Sequence, residues 1–216
     1  MASVDGHGHI YLEFVDHLHP MEQCSWLQKC LQKYARRSDF FEIKKNQFGK
    51  PFVSNTPNIF VSRSHTKITP NAYANMYLIA NENNIGVDIE SFQRETDLNL
   101  IAEYFFQMPR MNEFSRLSKQ SKTELFLRAW TRMESYFKAL HESAMTPLTA
   151  EELFFQDNIN VGDHRITSLK VTESLMLSVT HRRTLQLVFH PPREVILQSQ
   201  TDVTPSTELS LTEEFH

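Results

Sequence analysis

The sequence is poor in cysteine and tryptophan, lacks long uninterrupted apolar runs, and has no excess of positive charge. Its two cysteines, Cys24 and Cys30, fall on one predicted helix. That does not imply a disulfide framework, and a reducing cytosol is the natural compartment, hence a cytoplasmic protein is expected. No run is long and apolar enough to span a bilayer. The N-terminus has neither the basic start nor the apolar stretch of a secretion signal. With 22 Lys and Arg against 26 Asp and Glu, the formal net charge is −4. This argues against a nucleic-acid binder held by a general basic surface, while leaving room for a local basic pocket. The chain does hold 16 Phe and 40% apolar residues in a length of 216. That is ample for the core of one domain or of two small, intimate halves.

Two stretches concentrate the chemistry. Ile85-Gly86-Val87-Asp88-Ile89-Glu90 is an apolar, β-branched run that carries two carboxylates. As a strand it places Asp88 and Glu90 on one face. Trp130-Thr131-Arg132-Met133-Glu134-Ser135-Tyr136-Phe137-Lys138 lies on a long helical pattern. There Glu134 and Lys138 share a stripe, with Trp130 one turn earlier. Each feature alone has an ordinary reading. A Glu-to-Lys pair is a solvated helix ion pair, an Asp-x-Glu strand is a polar face, and a Trp is core. Brought together, three carboxylates and one amine surround a point. Such a site suits a hard divalent cation and a phosphorylated ligand.

The remaining chain reads as follows. His7 and His9 flank Gly8 in a polar segment, residues 1–9, that reads as a frayed terminus rather than a metal site. Ile10 to Val15 is a first strand. Pro20 opens a helix whose apolar face is Cys24, Leu27, Leu31 and Tyr34. Lys29, Lys33, Arg36 and Arg37 lie elsewhere on it, as a solvated face or a dock for an acidic partner. Residues 44–58 read as a loop around the Gly49-Lys50-Pro51 turn, which is either an ordinary surface turn or a fixed phosphate contact. A strand beginning at Ile59 leads into Ser64-His65-Thr66, whose hydroxyls and imidazole suit phosphate oxygens. Ala74 to Ala80 and Ile85 to Glu90 read as a hairpin, with Gly86 where a side chain would obstruct a close approach. A boundary between halves falls near residue 92. Beyond it, Leu98, Ile101, Ala102, Phe105 and Phe106 mark a helix ended by Pro109, and Glu113-Phe114 follows. The longest helix runs from Lys122 to Glu142, with a core stripe of Phe126, Trp130, Met133, Phe137 and Leu140. Glu134 and Lys138 sit at the edge of that stripe. From Pro147, four strands (Leu153 to Gln156, Arg165 to Val171, Leu175 to His181 and Thr184 to His190) read as an antiparallel meander. Residues 198–216 are polar and read as a flexible tail.

These motifs, in this order, resemble the surfactin-type 4′-phosphopantetheinyl transferases. Gly86-Val87-Asp88-Ile89-Glu90 resembles the family's Gly-(Ile/Val)-Asp-x-Glu signature. Trp130, Thr131, Glu134, Ser135 and Lys138 resemble its Trp-(Ser/Thr)-x-Lys-Glu-(Ala/Ser)-x-x-Lys signature. Phe48-Gly49-Lys50-Pro51 and Ser62-Arg63-Ser64-His65-Thr66 are similar to its Tyr-Gly-Lys-Pro and Asn-x-Ser-His-Ser segments. Met133 and Gln47 stand where the family often has lysines, and Ser62 stands in place of Asn. Arg63, Arg132, Lys44 and Lys45 are basic residues nearby in sequence. The resemblance implies an α+β, 4′-phosphopantetheinyl transferase fold: two pseudo-twofold-related α/β halves, residues 1–92 and 93–197, with antiparallel sheets and the site between them. Phe60-Val61-Ser62-Arg63-Ser64-His65 faintly echoes Met176-Leu177-Ser178-Val179-Thr180-His181, as a duplication would, with His181 structural.

The implied activity is transfer of the phosphopantetheine arm of coenzyme A to a serine of an apo acyl or peptidyl carrier protein. Adenosine 3′,5′-bisphosphate is released and magnesium is required. The resemblance assigns Asp88, Glu90 and Glu134 to the metal. It assigns Glu134 and Lys138 to catalysis, with Glu134 as general base. Lys50, Ser64, His65, Lys138 and Asp88 are assigned to coenzyme A. It implies a monomer with no nucleic-acid or membrane partner. Two rivals remain at this stage. An Asp-x-Glu strand also opens two-metal exonuclease sites, which need further Asp residues and a basic groove. A transferase-like protein that binds coenzyme A or a carrier without turnover is the other.

Overall fold

A computed structural model describes residues 6–16, 19–47, 49–93, 114, 116–140, 148–156 and 158–192. The predicted helix at Leu98–Phe106, Pro109, Glu113, Phe48 of the Gly-Lys-Pro turn and the tail at 198–216 lie outside these residues. The described chain is mixed α+β, with a four-stranded sheet in the order β10-β1-β5-β4 and another in the order β6-β9-β8-β7. The strands of the first are β1 (Gly6–Val15), β4 (Phe60–Thr69), β5 (Ala72–Ala80) and β10 (Leu185–His190). Those of the second are β6 (Gly86–Ser91), β7 (Asn158–Val161), β8 (His164–Thr172) and β9 (Leu175–Arg182). A small ribbon of β2 (Ile43–Lys45) and β3 (Pro51–Val53) closes around the Gly-Lys-Pro turn. Residues 44–58 are therefore not all loop: a three-residue ladder pairs Ile43 with Val53 and Lys45 with Pro51.

The layers follow from strand alternation. Ile10, Leu12, Met76 and Leu78 on one face of the first sheet pack against Val87, Ile89, Leu177 and Val179 of the second. On the opposite face Tyr11, Tyr77 and Ile79 meet Leu27, Cys30 and Leu31 of α1 (Pro20–Ala35). Pro20 occupies the first helical turn, where its missing N–H has no intrahelical acceptor to lose. The long helix α2 (Lys119–Leu140) lies against β6, β9 and β8. Among the described residues no helix is long and apolar enough to cross a membrane.

Four expectations need correction. Gly6 to His9 are not frayed: they lie in β1, paired with β10 on one side and, from Gly8, with β5 on the other. β5 and β6 do not form a hairpin. Both edges of β5 are taken, by β1 and β4, so the chain passes through Asn84 at φ 57° into the second sheet. The C-terminal meander breaks for the same reason. β9 is flanked by β6 and β8, and β10 joins β1 in parallel. Finally, Leu153 and Phe154 belong to a short helix, α3 (Ala150–Phe155), not a strand. Thr149 and Glu152 form a capping box at its start, which outweighs the apolar, aromatic character of the segment.

The buried face of α2 is also rotated from the expected stripe. Ala129, Thr131, Arg132, Ser135, Tyr136 and Ala139 are buried, whereas Phe137 is 39% exposed. Small residues face the second sheet because β6 approaches the helix backbone closely. A Cβ placed on Gly86 would lie 1.8 Å from the Ser135 carbonyl oxygen and 2.8 Å from the Ala139 nitrogen. Both contacts are to backbone, so no rotamer change relieves them. We expect Gly86→Ala to lower unfolding stability by about 2 kcal/mol or more through overpacking. Gly162→Ala meets open space and carries only the cost of its φ of 59°, about 1 kcal/mol. Denaturant unfolding of the two variants measures the difference; equal losses would contradict the close-approach role.

Candidate functional site

The site is built where β6 is pressed between β4 and α2. Hydroxyls at alternate positions of β4 face the edge of β6. Ser62 Oγ accepts from the Val87 N–H at 3.1 Å, Ser64 Oγ from Ile89 at 3.3 Å and Thr66 Oγ1 from Ser91 at 3.3 Å. Two of these hydroxyls also donate to the carboxylates of β6. Ser64 Oγ lies 2.7 Å from Asp88 Oδ1, and Thr66 Oγ1 lies 3.0 Å from Glu90 Oε2. The comb thus fixes the strand and its acids together. A period of two in Ser62, Ser64 and Thr66 was a sequence signal for this seam, since alternate strand residues share a face.

From the helix side, Lys138 Nζ donates to Asp88 Oδ1 at 2.6 Å and to the Val87 carbonyl at 3.2 Å. Asp88 is 4% exposed. A pair this buried adds little net stability, yet breaking it strands a charge at a cost of about 3–5 kcal/mol. Lys50, on the ribbon turn, donates to the carbonyls of Lys138 at 2.8 Å and Ile85 at 3.3 Å. Its ammonium ties the end of α2 to the start of β6 while bordering the cleft. Glu134 is half-buried one turn before Lys138. Burial and the charge of Asp88 raise its pKa, with Lys138 acting in the opposite sense. His65 lies on the cleft wall, its pKa lowered by burial and by the Arg63 and Lys138 charges.

These groups border a cleft of about 700 Å³. Its walls come from the start of α1, the β2–β3 ribbon, β4, β6 and the end of α2. Lys44, Lys45, Lys50, Arg63 and Lys138 give it a basic lining in a protein of acidic net charge. Asp88, Ser64, His65, Lys50 and Lys138 all line it. Glu90 and Glu134 flank Asp88 without forming part of that lining. Among the described residues no three Asp, Glu, His or Cys groups stand close enough to make a ready metal cage. The expected convergence of three carboxylates is therefore looser than the sequence implied. The donor chemistry still fits magnesium, which takes one or two carboxylates and completes its shell with water and substrate phosphates. Burial, and then the charge of Asp88, raise the neighbouring Glu134.

Arg132 and Met133 are not part of the cleft lining. Arg132 does not supply charge to the cleft. It is 1% exposed, donating from Nε to Ser168 Oγ at 2.7 Å and from Nη1 to the Leu153 carbonyl at 2.8 Å. Met133 packs against the Phe114, Phe126 and Phe154 cluster, so its place is explained by core filling. His181 is buried, with Nδ1 2.6 Å from the Arg182 carbonyl, a structural role.

Residues 84–195 match the family model of the 4′-phosphopantetheinyl transferase superfamily. The chain belongs to this superfamily. The match begins just before β6 and runs past β10, so it contains Asp88, Glu90, Glu134 and Lys138. Lys50, Arg63, Ser64 and His65 on the facing wall lie outside it. Over 108 residues, 50% of this chain, the sequence is 30% identical to the 4′-phosphopantetheinyl transferase gsp of Aneurinibacillus migulanus. The aligned stretch covers 41% of that relative's length.

The electrostatic layout gives a test that needs no activity. Asp88→Asn removes a neighbouring negative charge and should lower the Glu134 pKa. Lys138→Met removes the opposing positive charge and should raise it. Carboxyl carbon NMR titration of the two variants reads both shifts. Movement of Glu134 in the same direction in both would refute the arrangement.

Proposed function

We propose that this chain transfers the 4′-phosphopantetheine arm of coenzyme A to a serine hydroxyl of an apo acyl or peptidyl carrier protein. The other product is adenosine 3′,5′-bisphosphate. The observation that carries this reading is the Asp88–Lys138 pair beside a raised Glu134, at one end of a basic cleft and within the family match. In the reaction the serine oxygen bonds to the pantetheine-bearing phosphorus. The bridging oxygen of the pyrophosphate leaves with its electron pair. Glu134 accepts the serine proton, a role helped by a pKa raised toward neutrality. Lys138 faces a pyrophosphate oxygen and offsets its charge, while Lys50, Ser64 and His65 hold the remaining phosphate oxygens.

Asp88, Glu90 and Glu134 are the carboxylates that would hold magnesium, one or two of them directly and the rest through water. When bound, the metal supplies further positive charge at the pyrophosphate and steadies the leaving group. The basic face of α1, with Lys29, Lys33, Arg36 and Arg37, suits an acidic carrier, and exposed Phe137 at the cleft adds apolar contact. We further read the chain as two pseudo-twofold halves meeting near residue 92, each giving a strand to the other's sheet. Two like rows of hydroxyls support this. Ser62 and Ser64 on β4 bind β6, whereas Ser178 and Thr180 on β9 bind Thr131 and Ser135 of α2, at 2.7 Å and 2.9 Å. The reading includes a cytoplasmic monomer; Cys24 and Cys30 are unbridged, as a reducing compartment would leave them.

Intact-mass analysis of apo carrier proteins incubated with the protein, coenzyme A and magnesium tests the reaction. A gain of one phosphopantetheine that disappears with chelator is expected. Asp88→Ala and Glu134→Gln should each lower the rate by at least about 10²-fold. The rate should also fall on acidification, because protonation removes the Glu134 carboxylate that would take the serine proton. No mass gain over a broad carrier panel would refute the assignment.

A further inference from the structure

Three side chains cross the first sheet in a row that the proposed reaction does not use. Glu13 on β1 is directly opposite Asn75 on β5. Asn75 Nδ2 donates to Glu13 Oε1 at 3.1 Å, and Arg63 Nε on β4 donates to Asn75 Oδ1 at 3.1 Å. Asn75 is fully buried. Its amide has one usable orientation, because only oxygen can accept from the guanidinium and only nitrogen can donate to the carboxyl. Burial pushes the Glu13 carboxyl up to about 7, against the Asn75 hydrogen bond and the Lys29 and Arg63 charges. A carboxyl oxygen accepts from Asn75 in either protonation state, so the row persists across neutral pH. The Arg63 guanidinium also lies 5.8 Å from the centre of the Tyr77 ring. It therefore has a fixed Nε and an aromatic support. Among the described residues its Nη atoms donate to no protein group.

Arg63 lines the cleft, but on the other side of β4 from the reaction pair. Ser64 points to Asp88, and its neighbour Arg63 points to the α1 side, where Tyr77 packs. His65, two residues further along the same face of β4, feels the charges of both Arg63 and Lys138. An anion held by Arg63 is thus distinct from one at Lys138. Coenzyme A carries two phosphate centres, the pyrophosphate and the 3′-phosphate. With the pyrophosphate at Lys138, Arg63 adds a guanidinium to the groups that face the 3′-phosphate.

We infer that Glu13 and Asn75 are positioning residues that present Arg63 as the grip for the 3′-phosphate of coenzyme A. The inference rests on the transferase reading for the identity of the ligand. A guanidinium held at Nε keeps its paired Nη donors for a phosphate monoester, which a bidentate fork matches. Holding it in place before the ligand arrives removes part of the ordering cost of binding.

Calorimetric titration of the full chain with coenzyme A and with 3′-dephospho-coenzyme A tests this directly. The wild-type protein should favour coenzyme A by about tenfold or more, the scale of a charge-assisted hydrogen bond. Arg63→Gln should bring the ratio near one while affinity for the dephospho form holds. Glu13→Leu should erode the preference, and Glu13→Gln, which keeps an acceptor for Asn75, should recover most of that loss. A purely structural role for the row would weaken both nucleotides alike and leave the ratio intact. Persistence of the full preference in Arg63→Gln would overturn the proposal. Equal wild-type binding of the two nucleotides would overturn it while the transferase reading stands. Binding of neither would remove both.

Discussion

Everything in the site depends on how closely the backbone of β6 lies to α2. Gly86 has no side chain, so the strand reaches the Ser135 carbonyl and the Ala139 nitrogen of the helix. That contact brings Lys138 within reach of both the Val87 carbonyl and the Asp88 carboxylate. It also lets Lys50 span the Ile85 and Lys138 carbonyls with one ammonium. A single methyl group at residue 86 would push the strand and helix apart. The acid and the amine would then separate along with the backbones that carry them.

The opposite edge of β6 is held by chemistry of a different kind. A second β-ladder there would have paired the two sheets into one. Instead the hydroxyls of Ser62, Ser64 and Thr66 accept from the strand N–H groups in place of carbonyls. Side-chain hydroxyls have a donor to spare, which main-chain carbonyls do not. Ser64 and Thr66 give that donor to Asp88 and Glu90, so the seam that satisfies the strand also orients its carboxylates. Burial first, and the charge of Asp88 second, raise Glu134, while Lys138 pulls it the other way.

The resemblance carried by Gly86-Val87-Asp88-Ile89-Glu90 and by Trp130 to Lys138 was legible because those residues are local in sequence. The family match over residues 84–195 covers both. So was the obstruction at Gly86, since an invading Cβ is the simplest reason for glycine in a strand. The helix at Ala150–Phe155 was equally legible in the Thr149 and Glu152 capping box, but the apolar run around it reads as strand more loudly. Phe137 was misplaced because helical periodicity fixes spacing and not phase. The phase was set by small residues facing β6, not by the largest apolar ones.

By itself, then, the sequence determined the family motifs and their spacing, the elements that hold most of them, and the α+β class. Each of these depends on short-range order: alternation in strands, a four-residue repeat in helices, and motif spacing. Tertiary structure alone decided that β6 leaves β5 for β9, that β10 returns to β1, and that Arg132 is sealed inside while Arg63 faces the cleft. Strand partnership is a competition for edges among segments far apart in the chain. A strand whose two edges are already taken cannot accept its neighbour in sequence, however well the intervening turn would serve a hairpin.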